Sequence, residues 1–472
     1  MNLEHTRRKG RPLALVALAS AAVFALAACT SGTDSAQTSE NSTKTSPTAA
    51  PATVTIPDSS VGKQITWLLS AFNTSTPLTQ EEIAEHFGPT APVILTPPDF
   101  DSIRAGQPWT TVNYKGGDSD GTVSITSTTG GAFDVNVVVD VDVDGNGLIL
   151  GMAITPTKDV HVPAASWQEL EAAVKALPAP TNLTVTEVTE GKNAEVFNVG
   201  DTSPQPTGST IKLYVLGAVA TAVQNGTLSW DQKLTITDDL ESMPGGTMQD
   251  LPSGTGVTVR DTAGKMISIS DNTATDMLIA AVGREQVEAE FAPMGMANPS
   301  LNIPLKPTRA LFQLGWGDQG AQRIAWRDGT PDERRAILAA LPGGLVDIPA
   351  SAFTTPAWPF DIDWFASPAD LRAALVTLQE KAKTESGAPV RDILAEDPAL
   401  SDESAKWFTY GGFKGGSSIG VLAGAYYVEH DDRAWVVTMQ THGDDAALVA
   451  DPALYFDPVD DAMLLIQTDA TS

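Results

Sequence analysis

The period of the hydrophobic residues changes several times along this chain, and each change marks a segment boundary. Residues 13–28 are apolar apart from Ser20. From Thr30 to about Asp58 the chain is Ser, Thr, Ala and Pro with almost no large apolar residue, so it cannot bury a core and reads as a disordered tether. Ile65, Leu68, Leu69 and Phe72 then recur on one side of a helix over 61–72. Thr79-x-x-Glu82 is a capping box for a second short helix ending near Phe87. The runs 109–114, 121–127, 133–143 and 148–154 read as strands. Two helices before an antiparallel meander predict a small α+β domain over 59–157.

A larger domain is predicted over 165–472. Ser166-x-x-Glu169 caps a helix that reaches Leu177 and stops at Pro178, and 183–188 and 194–199 look like paired strands. Pro206 and Gly208 then break the chain before a strongly apolar helix, in which Ile211, Leu213, Val215, Leu216, Val219 and Val223 form a broad buried face. Thr330-Pro331-x-Glu333 and Ser367-Pro368-x-Asp370 each start a helix with proline at its first position. The runs 407–413, 420–429 and 433–441 are strand-like, and 458–466 closes as a helix. Strands first, helices between and strands last predict an α/β (α+β) domain. Its antiparallel sheet is built from both chain ends and packs on a helical region.

Charge and cysteine usage narrow the function. The formal net charge is −29, which argues against nucleic acid and against electrostatic docking on an anionic bilayer. Cys29 is the only cysteine, so no intramolecular disulfide can form. No two of the five histidines pair at helical spacing, and neither a metal nor a cofactor is expected. Asp140-x-Asp142-x-Asp144-Gly145 copies the start of a calcium loop, but the twelfth position is Gly151. The alternating valines instead predict a strand with one wet face and a hairpin turn over 144–147. Arg7, Arg8, Lys9 and Arg11 precede the 13–28 apolar run, which is short for a membrane span and reads as a secretory signal over 1–28. The run ends Leu26-Ala27-Ala28-Cys29, which resembles the lipobox of bacterial lipoproteins. That resemblance implies a diacylglycerol on Cys29 and tethering, through 29–58, to the extracytoplasmic face of the cell membrane. The alternative is ordinary secretion with a free N-terminal cysteine.

The candidate chemistry begins at Ser209, in the first turn of the apolar helix, with Lys212 one turn further on. A hydroxyl at a helix start meets unpaired N–H groups, and an amine kept neutral by burial can take its proton. The plain alternative is a capping Ser beside a solvated Lys. About 60 residues later, Ser270-Asp271-Asn272 interrupts an apolar helical run, and Phe413-Lys414-Gly415-Gly416-Ser417 opens a strand pair near the C-terminus. Ser-x-x-Lys, Ser-Asp-Asn and Lys-Gly-Gly in that order are far more specific than any one alone.

With these motifs, and with Gln224-Asn225-Gly226 and Val257-Thr258-Val259-Arg260-Asp261 around them, the chain over about 165–470 resembles the class A β-lactamase and penicillin-binding superfamily. The layout with a lipobox and a small α+β domain in front is similar to two-domain envelope lipoproteins and a related protein of clavulanic-acid biosynthesis clusters, in which the first domain is steroid-isomerase-like. The resemblance implies a serine hydrolase working through an acyl-enzyme on a β-lactam, cell-wall peptide or ester; a monomer is expected, and the acidic charge leaves no nucleic-acid partner. By the same resemblance, the roles are expected to fall as follows: Ser209 attacks and Lys212 holds or takes its proton. Ser270 passes a proton to the leaving nitrogen, Asn272 orients Lys212 and substrate, and Lys414 sets the field around Ser270. The Ser209 and Ser417 N–H groups form the oxyanion hole. Gly415, Gly416, Ser417 and Ser418 line the substrate.

Two departures stand out. Gly415 replaces the Thr of the family's Lys-Thr-Gly, with Ser417 or Ser418 as substitutes. The stretch from Asn302 to Ala310 has no acid where class A enzymes carry a deacylating Glu. Two rival readings follow. One is a low-turnover β-lactam- or peptide-binding lipoprotein with a vestigial site. The other makes Ser418, in Gly416-Ser417-Ser418-Ile419-Gly420, a nucleophile elbow, which requires a helix after it.

Overall fold

A computed structural model describes residues 54–87, 96–117, 120–127, 131–139, 147–156, 161–189, 192–242 and 245–471. The signal segment, Cys29, nearly all of the tether and the 140–146 acidic run lie outside the described residues. The chain divides into two compact units between His161 and Val162.

In the first unit, helix α1 (Ser60–Asn73) is capped by the Ser59 hydroxyl, which accepts from the Gly62 N–H at 3.2 Å. Short helices α2 (Gln80–Ala84) and α3 (Pro97–Arg104) follow. The Thr79 capping box is present; α3 was not anticipated, because Phe100 and Ile103 are its only large apolar residues. Strands β1 (Thr110–Gly116), β2 (Asp120–Ser127), β3 (Gly131–Val139) and β4 (Ile149–Pro156) form an antiparallel meander in chain order. Ile65, Leu68 and Phe72 of α1 pack with Phe100 onto Val123, Ile125, Val135, Val137 and Ile149. The sheet's period-2 alternation supplies that apolar face.

In the second unit, α4 (Trp167–Lys175) precedes strands β5 (Thr181–Thr189) and β6 (Lys192–Val199). The sheet is completed from the far end of the chain, in the order Tyr410–Ser418, Val421–His430, Arg433–His442, β5, β6, antiparallel throughout. Both faces are covered. Leu422, Tyr426, Val428, Trp435, Val437 and Met439 meet α4 and the last helix, Pro452–Thr471, on one side. Ala425, Tyr427, Ala434 and Val436 join the helical core on the other. The central strands are therefore buried along almost their whole length, which is why they read as continuous apolar runs.

Two boundaries differ from expectation. Trp407 ends a helix, Asp402–Trp407, and the strand begins at Tyr410 and runs on to Ser418. Lys414 to Ser417 thus lie inside the strand rather than at its opening. The glycines there suggested a loop, yet the register from Tyr410↔Glu429 to Ser418↔Val421 is unbroken. The last helix is also longer than 458–466, with Pro458 inside it.

Candidate active site

The chain enters the site through a tight 3₁₀ turn, Gly208–Ile211, that runs straight into α5 (Lys212–Gln224). Ten of α5's thirteen residues are buried, so it is apolar on every side and fixed by packing. The cap positions are Thr207 and Ile211, and neither uses its side chain. Ser209 is therefore no cap, and its half-buried hydroxyl is available for chemistry. Gly208 has φ +52°, a conformation that favours glycine. A Cβ at Gly208 would lie 2.7 Å from the Ser417 nitrogen, and one at Gly416 would lie 2.0 Å from the Thr207 oxygen and 2.9 Å from the Ser209 nitrogen. Backbone is pressed on backbone here, with the Ser209 turn seated against Gly416 and Ser417 of the edge strand.

Lys212 is fully buried and is the hub of the site. Its Nζ donates to the Ser270 carbonyl at 2.6 Å, the Ser270 hydroxyl at 3.1 Å and Asn272 Oδ1 at 2.8 Å. Burial pulls its pKa down to about 7, and the charges of Asp271 and Asp276 hold it from falling further. Ser270 and Asn272 come from the junction of helices α6 (Val259–Ser268) and α7 (Asn272–Val282). Ser270 has φ +55°, a strained conformation for a residue with a Cβ. Asp271 keeps it there. One carboxylate oxygen accepts from the Ala274 N–H at 2.8 Å, and the other from Thr247 and Met248 N–H at 2.7 and 2.8 Å.

Lys414 is 2% exposed and donates to the Gly415 carbonyl at 2.8 Å. Burial, and then the nearby Lys212, push its pKa well below the usual lysine value. The three motifs are thus brought together by tertiary structure: Lys212 binds Ser270 and Asn272 directly, and Lys414 is its electrostatic neighbour. Ser417 is exposed at the strand end, while the Ser418 hydroxyl donates to Asp363 Oδ2 at 2.6 Å. A carboxylate only accepts, so the single Ser418 proton is committed there. The residues after Ser418 turn back into a strand, not a helix, which removes the elbow reading.

The Asn302–Ala310 stretch is occupied with structural work. Asn302 exchanges two hydrogen bonds with the Phe365 backbone, at 2.7 and 2.8 Å. Thr308 and Arg309 donate their N–H groups to Asp276 at 2.6 and 2.9 Å, and the Arg309 guanidinium donates to the Asp238, Glu241 and Gly344 carbonyls. No carboxylate of this stretch faces Ser209, because the stretch contains none. Sequence reasoning passed over Asp276, Lys306 and Asp363, all buried. Burial raises the pKa of Asp276 to about 6. Asp276 lies four residues after Asn272, one helical turn on, which is a usable signal. Asp363 and Lys306 sit in no motif, and only the fold brings them to the site.

Residues 165–341 match the family model described as "Beta-lactamase enzyme family", and residues 56–149 match one described as "ORF 12 gene product N-terminal". No curated protein matches the chain. Among solved structures, PBP-A is 19% identical with a TM-score of 0.45, covering 66% of this chain and 100% of that one. A β-lactamase from Sphaerobacter thermophilus DSM 20745 is 21% identical with a TM-score of 0.44, covering 63% and 96%. One from Chitinophaga pinensis DSM 2588 is 17% identical with a TM-score of 0.45, covering 64% and 98%. The larger unit is thus similar to the β-lactamase enzyme family over the matched residues, with a β-lactamase-like combination of antiparallel sheet and helices.

Proposed function

We propose that this protein is a serine hydrolase that opens an amide or ester through an acyl-enzyme on Ser209. The observation that carries the reading is Lys212: an amine without solvent exposure, with a pKa brought to about 7, one turn from a half-buried serine at a helix start. Ser209 Oγ attacks the carbonyl carbon while its proton passes to neutral Lys212 Nζ. The negative charge that develops on the carbonyl oxygen is held by the Ser209 and Ser417 N–H groups, a role supported by the close packing of Gly208 on Ser417 and of Gly416 on Ser209. As the tetrahedral intermediate collapses, the carbonyl–nitrogen bond breaks and Ser270 delivers a proton to the departing nitrogen. Ser270 recovers that proton from Lys212, to which it is already hydrogen-bonded. Asn272 holds the amine in line, and Lys414 supplies positive potential beside it.

Substrates in this reading are β-lactams, cell-wall peptides or related esters. Reaction with a fluorescent penicillin and with a fluorophosphonate, followed by mass spectrometry of the labelled peptide, tests it; modification at Ser209 is expected. No labelling at Ser209 by either probe rejects the reading. A second reading, a low-turnover binding lipoprotein, is favoured by the absence of an acid in the 302–310 stretch. It predicts stoichiometric labelling without turnover. The same proposal includes a lipid anchor on Cys29 at the extracytoplasmic membrane face. It also includes kinship with the two-domain lipoproteins of the clavulanic-acid type, the first unit being steroid-isomerase-like.

A further inference from the structure

We infer that Asp363 is a positioning residue for the oxyanion hole, a carboxylate clamp tying the turn that carries Ser209 to the end of the strand that carries Ser417. The inference rests on the hydrolase reading above. Asp363 is 0% exposed. Its Oδ1 accepts from the Gly208 N–H at 2.8 Å and from the Trp364 N–H at 2.7 Å, and its Oδ2 accepts from the Ser418 hydroxyl at 2.6 Å. Gly208 immediately precedes Ser209 and Ser418 immediately follows Ser417. One carboxylate therefore grips both walls of the hole, each one residue from its N–H donor.

The segment around Asp363 is itself laced to the turn. The Trp364 carbonyl accepts from the Thr207 N–H at 2.8 Å and the Thr207 hydroxyl at 3.1 Å. Residues 365 and 366 pair antiparallel with Pro206 and Gln205. Burial pushes the Asp363 pKa up, and its three hydrogen bonds and the charge of Lys306, also buried, oppose that shift.

A buried carboxylate is a poor device for stability, since apolar groups of the same volume often serve as well or better. It is a good device for geometry, because each hydrogen bond fixes a direction. The Ser209 and Ser417 N–H groups belong to chain segments some two hundred residues apart, and their usefulness depends on spacing set to a fraction of an ångström. A loosened clamp leaves a cleft that still binds but holds the developing oxyanion less well.

The test is time-resolved fluorophosphonate labelling of purified full-length protein across probe concentrations. Asp363→Ala is expected to lower the saturating labelling rate at least tenfold with half-saturation within threefold of wild type. Asp363→Asn, whose amide oxygen still accepts from both N–H groups and whose amide NH2 can donate to the Ser418 oxygen, is expected to recover most of that rate. Ser418→Ala, which cuts one arm only, is expected to fall in between, and it keeps the test open if Asp363→Ala fails to fold by circular dichroism. An unchanged saturating rate in the variants, or a loss confined to half-saturation, overturns the clamp. If wild type does not label at all, the hydrolase reading has failed instead. Hydrogen exchange then decides the clamp: faster exchange over 207–211 in Ser418→Ala supports it and unchanged exchange removes it.

Discussion

At the scale of single residues, Lys212 sets the pH behaviour. In the proposed reaction its neutral form is the base, and its pKa in the fold is about 7. Acylation of Ser209 should therefore rise with pH through a midpoint near neutrality and level off above it. A labelling rate that is flat from pH 5.5 to 8.5 would exclude Lys212 from that role. The same shift links to stability. Above about 7 the folded protein releases the Lys212 proton, whereas the unfolded chain keeps it up to the ordinary lysine value of 10.5. The unfolded state binds more protons in that window, so stability rises with pH across it. Lys306, lowered to about 8, and Lys414 act in the same direction. Lys212→Met should flatten the slope of urea-melt stability against pH between 7 and 10 without removing it. Ser209→Ala should abolish labelling and leave the melt unchanged, because no cap depends on its hydroxyl.

At the scale of elements, the site is the seam between the Ser209 turn and the edge strand, and its glycines are steric requirements. A methyl at Gly416 meets the Thr207 oxygen and the Ser209 nitrogen, both backbone atoms that cannot rotate away. Gly416→Ala should cost about 1–3 kcal/mol in a denaturant melt, the usual range for overpacking. It should also remove labelling, since the strand must retreat from the turn. Gly226, with open space around it, is the contrast: φ +73° makes its substitution strained, but labelling should survive. A Gly416→Ala protein that labels as fast as wild type would show that the two backbones do not form one site.

At the scale of the whole molecule, the 302–310 stretch, where the proposed kinship with class A enzymes would put a deacylating acid, holds none and is tied down through Asn302, Thr308 and Arg309. β-Lactam acylation should then outrun hydrolysis, giving a burst of about one equivalent before slow turnover. Loss of a positioned general base is worth about 10²–10⁴ in that second step. Steady hydrolysis of nitrocefin without a burst would mean that another group serves as the base. Attachment is a separate matter: Cys29→Ser should move the protein from the membrane fraction to the soluble one, and palmitate labelling that persists in the variant would rule out acylation there.

Local rules written in the sequence were enough for much of this molecule. The capping boxes at Thr79, Thr330 and Ser367, the all-round apolar α5 and the β5–β6 pair are each decided by residues a few positions apart, so they could be read directly. Ser209, Lys212, Ser270, Asn272 and Lys414 could be singled out as candidates because their motifs stand in a characteristic order. The glycine-rich 414–417 run was misplaced at a strand opening, because glycine's turn preference is overridden there by an unbroken ladder to the next strand. Asp276 was passed over despite its place one turn after Asn272, and Lys306 and Asp363 were invisible, as burial and pairing give an acid or a lysine its meaning and neither is a local property. Sequence order determined which groups could do chemistry. Tertiary structure alone decided that Lys212 is dry and that the Ser209 turn packs against Gly416 and Ser417, because both depend on contacts between segments that the chain itself keeps far apart.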